Sequence, residues 1–268
     1  MLTRIISALI GAPIIMIFLV QRGIYLHFLI LGLSLVGLYE FYKAVKNIEI
    51  STINTVGYIG TALYFVILLF DFNTSYIGLV VAFTIIAAFS YEIIVLKHGI
   101  NGVFMTIVGV LYIPFLLSHI VYIDKLQYAG ILVWLPFLAA WYTDSCAYFV
   151  GVSIGKKKLF PNISPNKSLE GYIGGLVGST ILCMITGIII NNFGYSIPLI
   201  HFIISGFLCA LTSEIGDLAA SYIKRFSGIK DFGSLIPGHG GILDRFDSIL
   251  FTAPVIYYYF LIVQNMVK

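Results

Sequence analysis

The sequence predicts an all-α integral membrane protein of about nine transmembrane helices with a cytoplasmic N-terminus. Three observations carry that prediction. Hydrophobic residues make up 60% of the chain and charged residues only 10%, with a mean hydropathy of +1.02, whereas soluble domains carry about 25% charged residues. The apolar residues fall in long runs, and a chain of this length has room for roughly eight to ten helices of bilayer-crossing size. Threading those runs alternately then sorts the basic residues to one side. The net charge of +3 says little until it is divided in that way. Such a composition excludes a soluble globule and points to membrane lipids, not nucleic acid, as the surroundings.

Taken in order, the first span covers about residues 4–20. Its basic start is similar to a signal peptide, but Leu19-Val20-Gln21-Arg22-Gly23 offers no small-x-small cleavage site, so it is read as a retained helix. The second covers 24–46 and ends in the mixed run Tyr39-Glu40-Phe41-Tyr42-Lys43. Further spans follow at 55–69, 77–96, 103–123, 129–152, 172–190, 198–225 and 242–266. With the N-terminus inside, the cytoplasmic cations are Arg4, Lys43, Lys46, Lys97, Lys156, Lys157, Lys158, Lys167, Lys224, Arg225, Lys230 and Arg245; Arg22, Lys125 and Lys268 fall opposite. Twelve against three fits the positive-inside rule and favours both count and direction. The chain divides into an N-terminal group of about five spans (1–126) and a C-terminal region (127–268) with cytoplasmic loops at 153–171 and 226–241. No internal repeat is evident. Cys146, Cys183 and Cys209 stand singly in apolar runs, so neither a disulfide framework nor a zinc site is indicated.

The chemistry gathers at residues 221–247. Lys224, Arg225, Lys230 and Arg245 supply cations there, and Asp231, Asp244 and Asp247 supply carboxylates. Gly228, Gly233, Gly238, Gly240 and Gly241 supply backbone that a ligand can approach. Glu214 and Asp217 lie one helical turn apart just upstream, with Ser221 and Lys224 continuing that face. Asp144 stands inside the apolar run around Trp141. An intramembrane Asp costs about 2.5–3.5 kcal/mol on insertion scales, so several demand an explanation. Pairing with Lys224, Arg225 or Arg245 to hold helices together is the plain one. Binding a hard cation such as Mg²⁺, whose shell is oxygen, water and substrate phosphate, is the sharper one.

The upstream loop carries Ser164-Pro165-Asn166-Lys167-Ser168-Leu169-Glu170-Gly171. Ser168 is placed to cap a helix starting near Leu169, and Lys167 would then stand beside free amides that attract phosphate. Lys156, Lys157 and Lys158 read as a topology signal, and Gly171, Gly174, Gly175 and Gly178 as a close-packing stripe. For His239, ligand contact and a loop-fixing hydrogen bond remain equal readings.

The stretch 221–247 resembles the signature of phosphatidate cytidylyltransferases, the CDP-diacylglycerol synthases. Ser221, Lys224-Arg225, Lys230-Asp231, Gly233, Pro237, His239-Gly240-Gly241, Asp244-Arg245 and Asp247 fill every fixed place of that pattern. Asp144, the Ser164-to-Gly171 segment and Gly216-Asp217 are also similar. The resemblance implies transfer of CMP from CTP to phosphatidic acid, releasing pyrophosphate, with Mg²⁺ as one or two ions. It implies Asp217, Asp244, Asp247 and Asp144 as metal ligands, and Asp217, Asp244, Asp247, Lys224 and Arg225 as catalytic residues. Substrate contacts would come from Ser164, Lys167, Ser221, Lys230, Asp231, His239, Gly240, Gly241 and Arg245. It further implies a multi-pass protein of the cell (inner) membrane, a homodimer, with its site facing the cytoplasm. The nucleophile, a phosphomonoester whose second pKa is about 6, needs no general base at neutral pH.

Two rivals are separable. A transferase acting on another membrane lipid is distinguished by a substrate panel. A cation transporter also carries intramembrane aspartates but has no use for Lys- and Gly-rich loops, and metal flux without CTP would identify it.

Overall fold

Within hydrocarbon every backbone amide must be satisfied inside its own segment, so an apolar chain of this kind resolves into helices. A computed structural model describes residues 2–70, 75–238 and 240–267. Its helices are α1 (Leu2–Gln21), α2 (Gly23–Lys46), α3 (Asn54–Leu69), α4 (Ser75–Val95), α5 (Gly99–Val110), α6 (Leu116–Ile123), α7 (Ala129–Leu132), α8 (Leu135–Ile154), α9 (Leu169–Asn192), α10 (Leu199–Phe226) and α11 (Leu243–Val267). Among the described residues six helices are long and apolar enough to cross a membrane: Gly23–Lys46, Tyr76–Val95, Gly99–Ile123, Leu169–Asn192, Leu199–Phe226 and Leu243–Met266. α3, at 16 residues, is shorter, and α8 is diluted by its polar stretch from Trp141 to Ser145.

Three expected elements differ in detail. The span expected at 103–123 is continuous from Gly99 to Ile123 but carries a π-helical turn, Leu111–Phe115, between α5 and α6. Pro114 sits in that turn and lacks the amide that would continue regular α-helical bonding. The span expected at 129–152 is two helices, broken between Leu132 and Leu135 where Pro136 enters the first turn of α8. The loop expected at 153–171 contains a two-stranded antiparallel hairpin, β1 (Lys158–Phe160) and β2 (Ser164–Ser168), pairing Lys158 with Ser168 and Phe160 with Ser164.

The chain forms two compact units. The first comprises Met1–Tyr122 with Ile223–Phe246. Its interior is centred on α2, where Leu38, Phe41 and Tyr42 are buried. The Tyr42 hydroxyl donates to the Thr106 carbonyl at 2.9 Å, and the Thr106 hydroxyl accepts from the Ile53 amide at 2.8 Å.

The second unit comprises Ile123–Tyr222 with Asp247–Lys268. Its strongest packing is a seam between α8 and α9. A Cβ added at Gly174 would lie 2.5 Å from Val150 Cβ, and one at Gly178 would lie 2.5 Å from Cys146 Sγ. Small residues let helix backbones approach where lipid offers no hydrophobic drive, so the glycine stripe is packing, as expected. A similar approach joins α10 to α11: a Cβ at Gly216 would stand 2.6 Å from the Asp247 carbonyl oxygen. The Ser248 hydroxyl donates to the Ser213 carbonyl at 3.2 Å beside it.

Candidate functional site

In the second unit a cavity of about 610 Å³ opens among α8, the hairpin, α9 and α10. Asp144, Ser164, Lys167 and Asp217, four of the residues expected to act, line it together with Lys158 and Glu214. The volume lies within the range of small-molecule sites, about 300–1,000 Å³. Its geometry follows from local sequence. Ser168 has extended backbone (φ −112°, ψ 156°) and its hydroxyl accepts from the Gly171 amide at 3.2 Å, capping α9 as expected. Glu170, in the first turn, accepts from the amides of Lys156 at 3.0 Å and Lys157 at 3.2 Å. That tie closes the hairpin onto the start of α9.

Lys167 therefore enters the cavity from β2 and meets two carboxylates of α10. Its ammonium bonds Asp217 Oδ2 at 2.8 Å and Glu214 Oε2. Asp217 also accepts from the Ser221 hydroxyl through Oδ1, at 3.4 Å. Burial works to lower the Lys167 pKa, but Asp217 and then Glu214 outweigh it and hold the ammonium above its ordinary 10.5. Lys167 is thus cationic throughout any usable assay range. Because the folded value is the raised one, the pair's contribution to stability is fully present below pH 10.5 and is lost as pH rises through the folded pKa. Melting temperatures of the wild type and of a Lys167→Met/Glu214→Gln variant should therefore keep a constant separation from pH 6 to 9. Above pH 10.5 the wild type should lose its relative advantage.

In the first unit the glycine-rich segment folds around Asp244. Lys224 Nζ bonds Asp244 Oδ1 at 2.8 Å, and Oδ2 accepts from the amides of Phe232 at 2.8 Å and Gly241 at 2.9 Å. Lys224 also lies over the Phe232 ring, 5.6 Å from its centre. Gly238 and Gly240 take positive φ (78° and 85°), and the Ile236 amide donates to the Gly240 carbonyl at 2.9 Å, closing a tight turn. His239 lies outside the described residues. Arg225, Lys230, Asp231 and Arg245 are exposed.

The sequence reading missed Glu40. It is 3% exposed on α2 and accepts from the amides of Ile242 at 3.0 Å and Leu243 at 2.9 Å. A glutamate within an otherwise apolar span was the available signal.

The donor set can be tested against a metal. Among the described residues no group of three or more His, Cys, Asp or Glu side chains is gathered as a metal site. Asp144 and Asp217 share one cavity, and Mg²⁺ commonly takes only one or two carboxylates, filling its shell with water and substrate phosphate. Those two fit. The Asp244 side chain is 3% exposed and already engaged by one cation and two amides. It fits a metal shell only by exchanging Lys224 for the ion. Asp247 Oδ1 accepts from the Ser248 amide at 2.8 Å.

Comparison with known proteins adds an independent finding. A model of the cytidylyltransferase family matches residues 2–263. The chain is 31% identical over 263 residues to a phosphatidate cytidylyltransferase of Bacillus subtilis, covering 95% of this chain and 96% of that protein. It is 31% identical over 282 residues to one from Thermotoga maritima, covering 99% and 98%. Over 122 residues it is 46% identical to one from Staphylococcus aureus, covering 45% of each.

Proposed function

We propose, from the premise that this chain belongs to the cytidylyltransferase family, that it transfers CMP from CTP to phosphatidic acid. A phosphomonoester oxygen of the lipid attacks the α-phosphorus of CTP, the bond to the β-phosphate breaks, and pyrophosphate leaves. Both partners are anions, so the demand on the protein is charge cancellation and in-line placement, not proton abstraction.

The observation that carries this reading is the cavity holding Lys167 between Glu214 and Asp217 at the capped start of α9. There Lys167 neutralises phosphate oxygens, and Ser164 lies on the same wall. Asp144 and Asp217 are the residues to hold Mg²⁺, which when bound supplies further neutralisation of the triphosphate. Lys224, Arg225, Lys230 and Arg245 are the remaining cations for substrate and leaving group. Ser221, Asp231, His239, Gly240 and Gly241 remain proposed substrate contacts, His239 lying outside the described residues. Asp247 remains a proposed ligand.

The distribution of basic residues supports nine spans, a cytoplasmic N-terminus and a catalytic region reached by CTP from the cytoplasm. A homodimer in the cell membrane completes the reading.

The test is release of labelled pyrophosphate from γ-labelled CTP by purified protein in detergent, with phosphatidic acid, with and without Mg²⁺. Release that depends on both lipid and Mg²⁺ is expected. Turnover with another membrane lipid but not with phosphatidic acid would reassign the acceptor, and absence of release with every lipid would overturn the reading.

A further inference from the structure

The start of α11 presents a local anomaly. A helix leaves its first amides without partners, and a Ser, Thr, Asp or Asn at the preceding position usually accepts from them. Here that position is Ile242, which has no acceptor in its side chain. The missing acceptor comes from α2, 202 and 203 residues away in sequence: Glu40 takes the Ile242 and Leu243 amides, one on each oxygen.

The space for this is reserved. A Cβ at Gly233 would stand 3.0 Å from the Glu40 carboxyl carbon, and one at Gly241 would also collide with the carboxylate. Two of the glycines in the signature stretch are therefore small because Glu40 packs against them. Together Glu40 and Asp244 bind four backbone amides, of Phe232, Gly241, Ile242 and Leu243, and so define both ends of the turn that leads into α11. A carboxylate in this position also fills what would otherwise be an anion-binding helix terminus.

We propose that Glu40 is a positioning residue for the reaction. It fixes the first turn of α11, which carries Asp244 and Arg245, and it reserves that helix terminus so that substrate phosphate is bound by cationic side chains and not by the α11 amides. The proposal rests on the functional reading above and assigns a role in it to a residue of the N-terminal half, outside the signature.

The test uses the full chain in detergent and compares Glu40→Gln with Glu92→Gln. Glu92 similarly accepts from the amides of His98 and Gly99 at the start of α5, remote in sequence from the signature. Turnover, KM for CTP and for phosphatidic acid, melting temperature and amide exchange at Ile242 and Leu243 are measured. Glu40→Gln should lower kcat at least tenfold, leave both KM values within about threefold, and speed exchange at those two amides. Glu92→Gln should leave kcat within twofold. If Glu40→Gln does not fold, Glu40→Asp, which retains the charge but withdraws it by one methylene, should show the same fall in kcat. An active wild type beside a folded Glu40 variant with kcat within twofold overturns this proposal alone. A wild type that turns over no CTP overturns it together with the functional reading.

Discussion

Replacing Lys167 by methionine should reduce CTP turnover by about 10²–10³-fold, the scale seen when one preorganised electrostatic contact is removed from a transition state. The same change should destabilise the fold. The Glu214 side chain is 5% exposed and would lose its cation, and an uncompensated buried charge of this kind costs about 3–5 kcal/mol. Activity loss alone would therefore be ambiguous. Removing the lysine with its buried partner resolves it, since deleting a buried pair together is far less damaging than deleting half of it, and Asp217, whose side chain is 32% exposed, keeps access to water when its cation is gone. The Lys167→Met/Glu214→Gln variant should recover most of the melting temperature of the wild type and none of the turnover. Recovery of both would reduce Lys167 to a structural counter-ion.

Replacing Asp244 by asparagine should also be severe, for a different reason. The asparagine still offers one oxygen, but its amide nitrogen must face either Lys224 or the backbone amides of Phe232 and Gly241. Lys224, 15% exposed, loses its counter-charge. A loss of about 3 kcal/mol in stability and of at least about 10² in turnover is expected. The Mg²⁺ concentration for half-maximal activity should change little, because the carboxylate is occupied by lysine and amides. A large rise in that concentration would instead make Asp244 a ligand that exchanges Lys224 for the ion.

The helices were legible because a bilayer leaves few solutions: apolar runs of sufficient length must satisfy their own backbone, and the runs read from the sequence coincide with helices α1 to α11, α5 with α6 and α7 with α8 each filling one run. How many cross the bilayer is less legible, since length and hydropathy select six among the described residues. Ser168 as a cap and Gly174 and Gly178 as packing sites were also readable, because both depend on spacing within a few residues. The hairpin was not, for its strands of three and five residues include Pro165 and are too short for an alternation to register. The site separates in the same way. Lys167, Asp217 and Asp144 were recognised individually, but their meeting in one cavity depends on how α8, β2 and α10 pack. Glu40 was passed over because its partners lie some 200 positions away and are backbone amides, which leave no trace in side-chain identity.

The seam between α8 and α9 bears on how such a sequence can drift. Gly174 faces Val150 and Gly178 faces Cys146 at separations that leave no room for even one added methyl group. Neither side of such a couple can grow unless the other shrinks, so single substitutions there are barred while compensated pairs remain open. Among relatives of this chain, residue size at 174 should run inversely to size at 150, and size at 178 inversely to size at 146. The two helices would thus keep a record of their contact in their covariation, even where the identity of each residue has been lost.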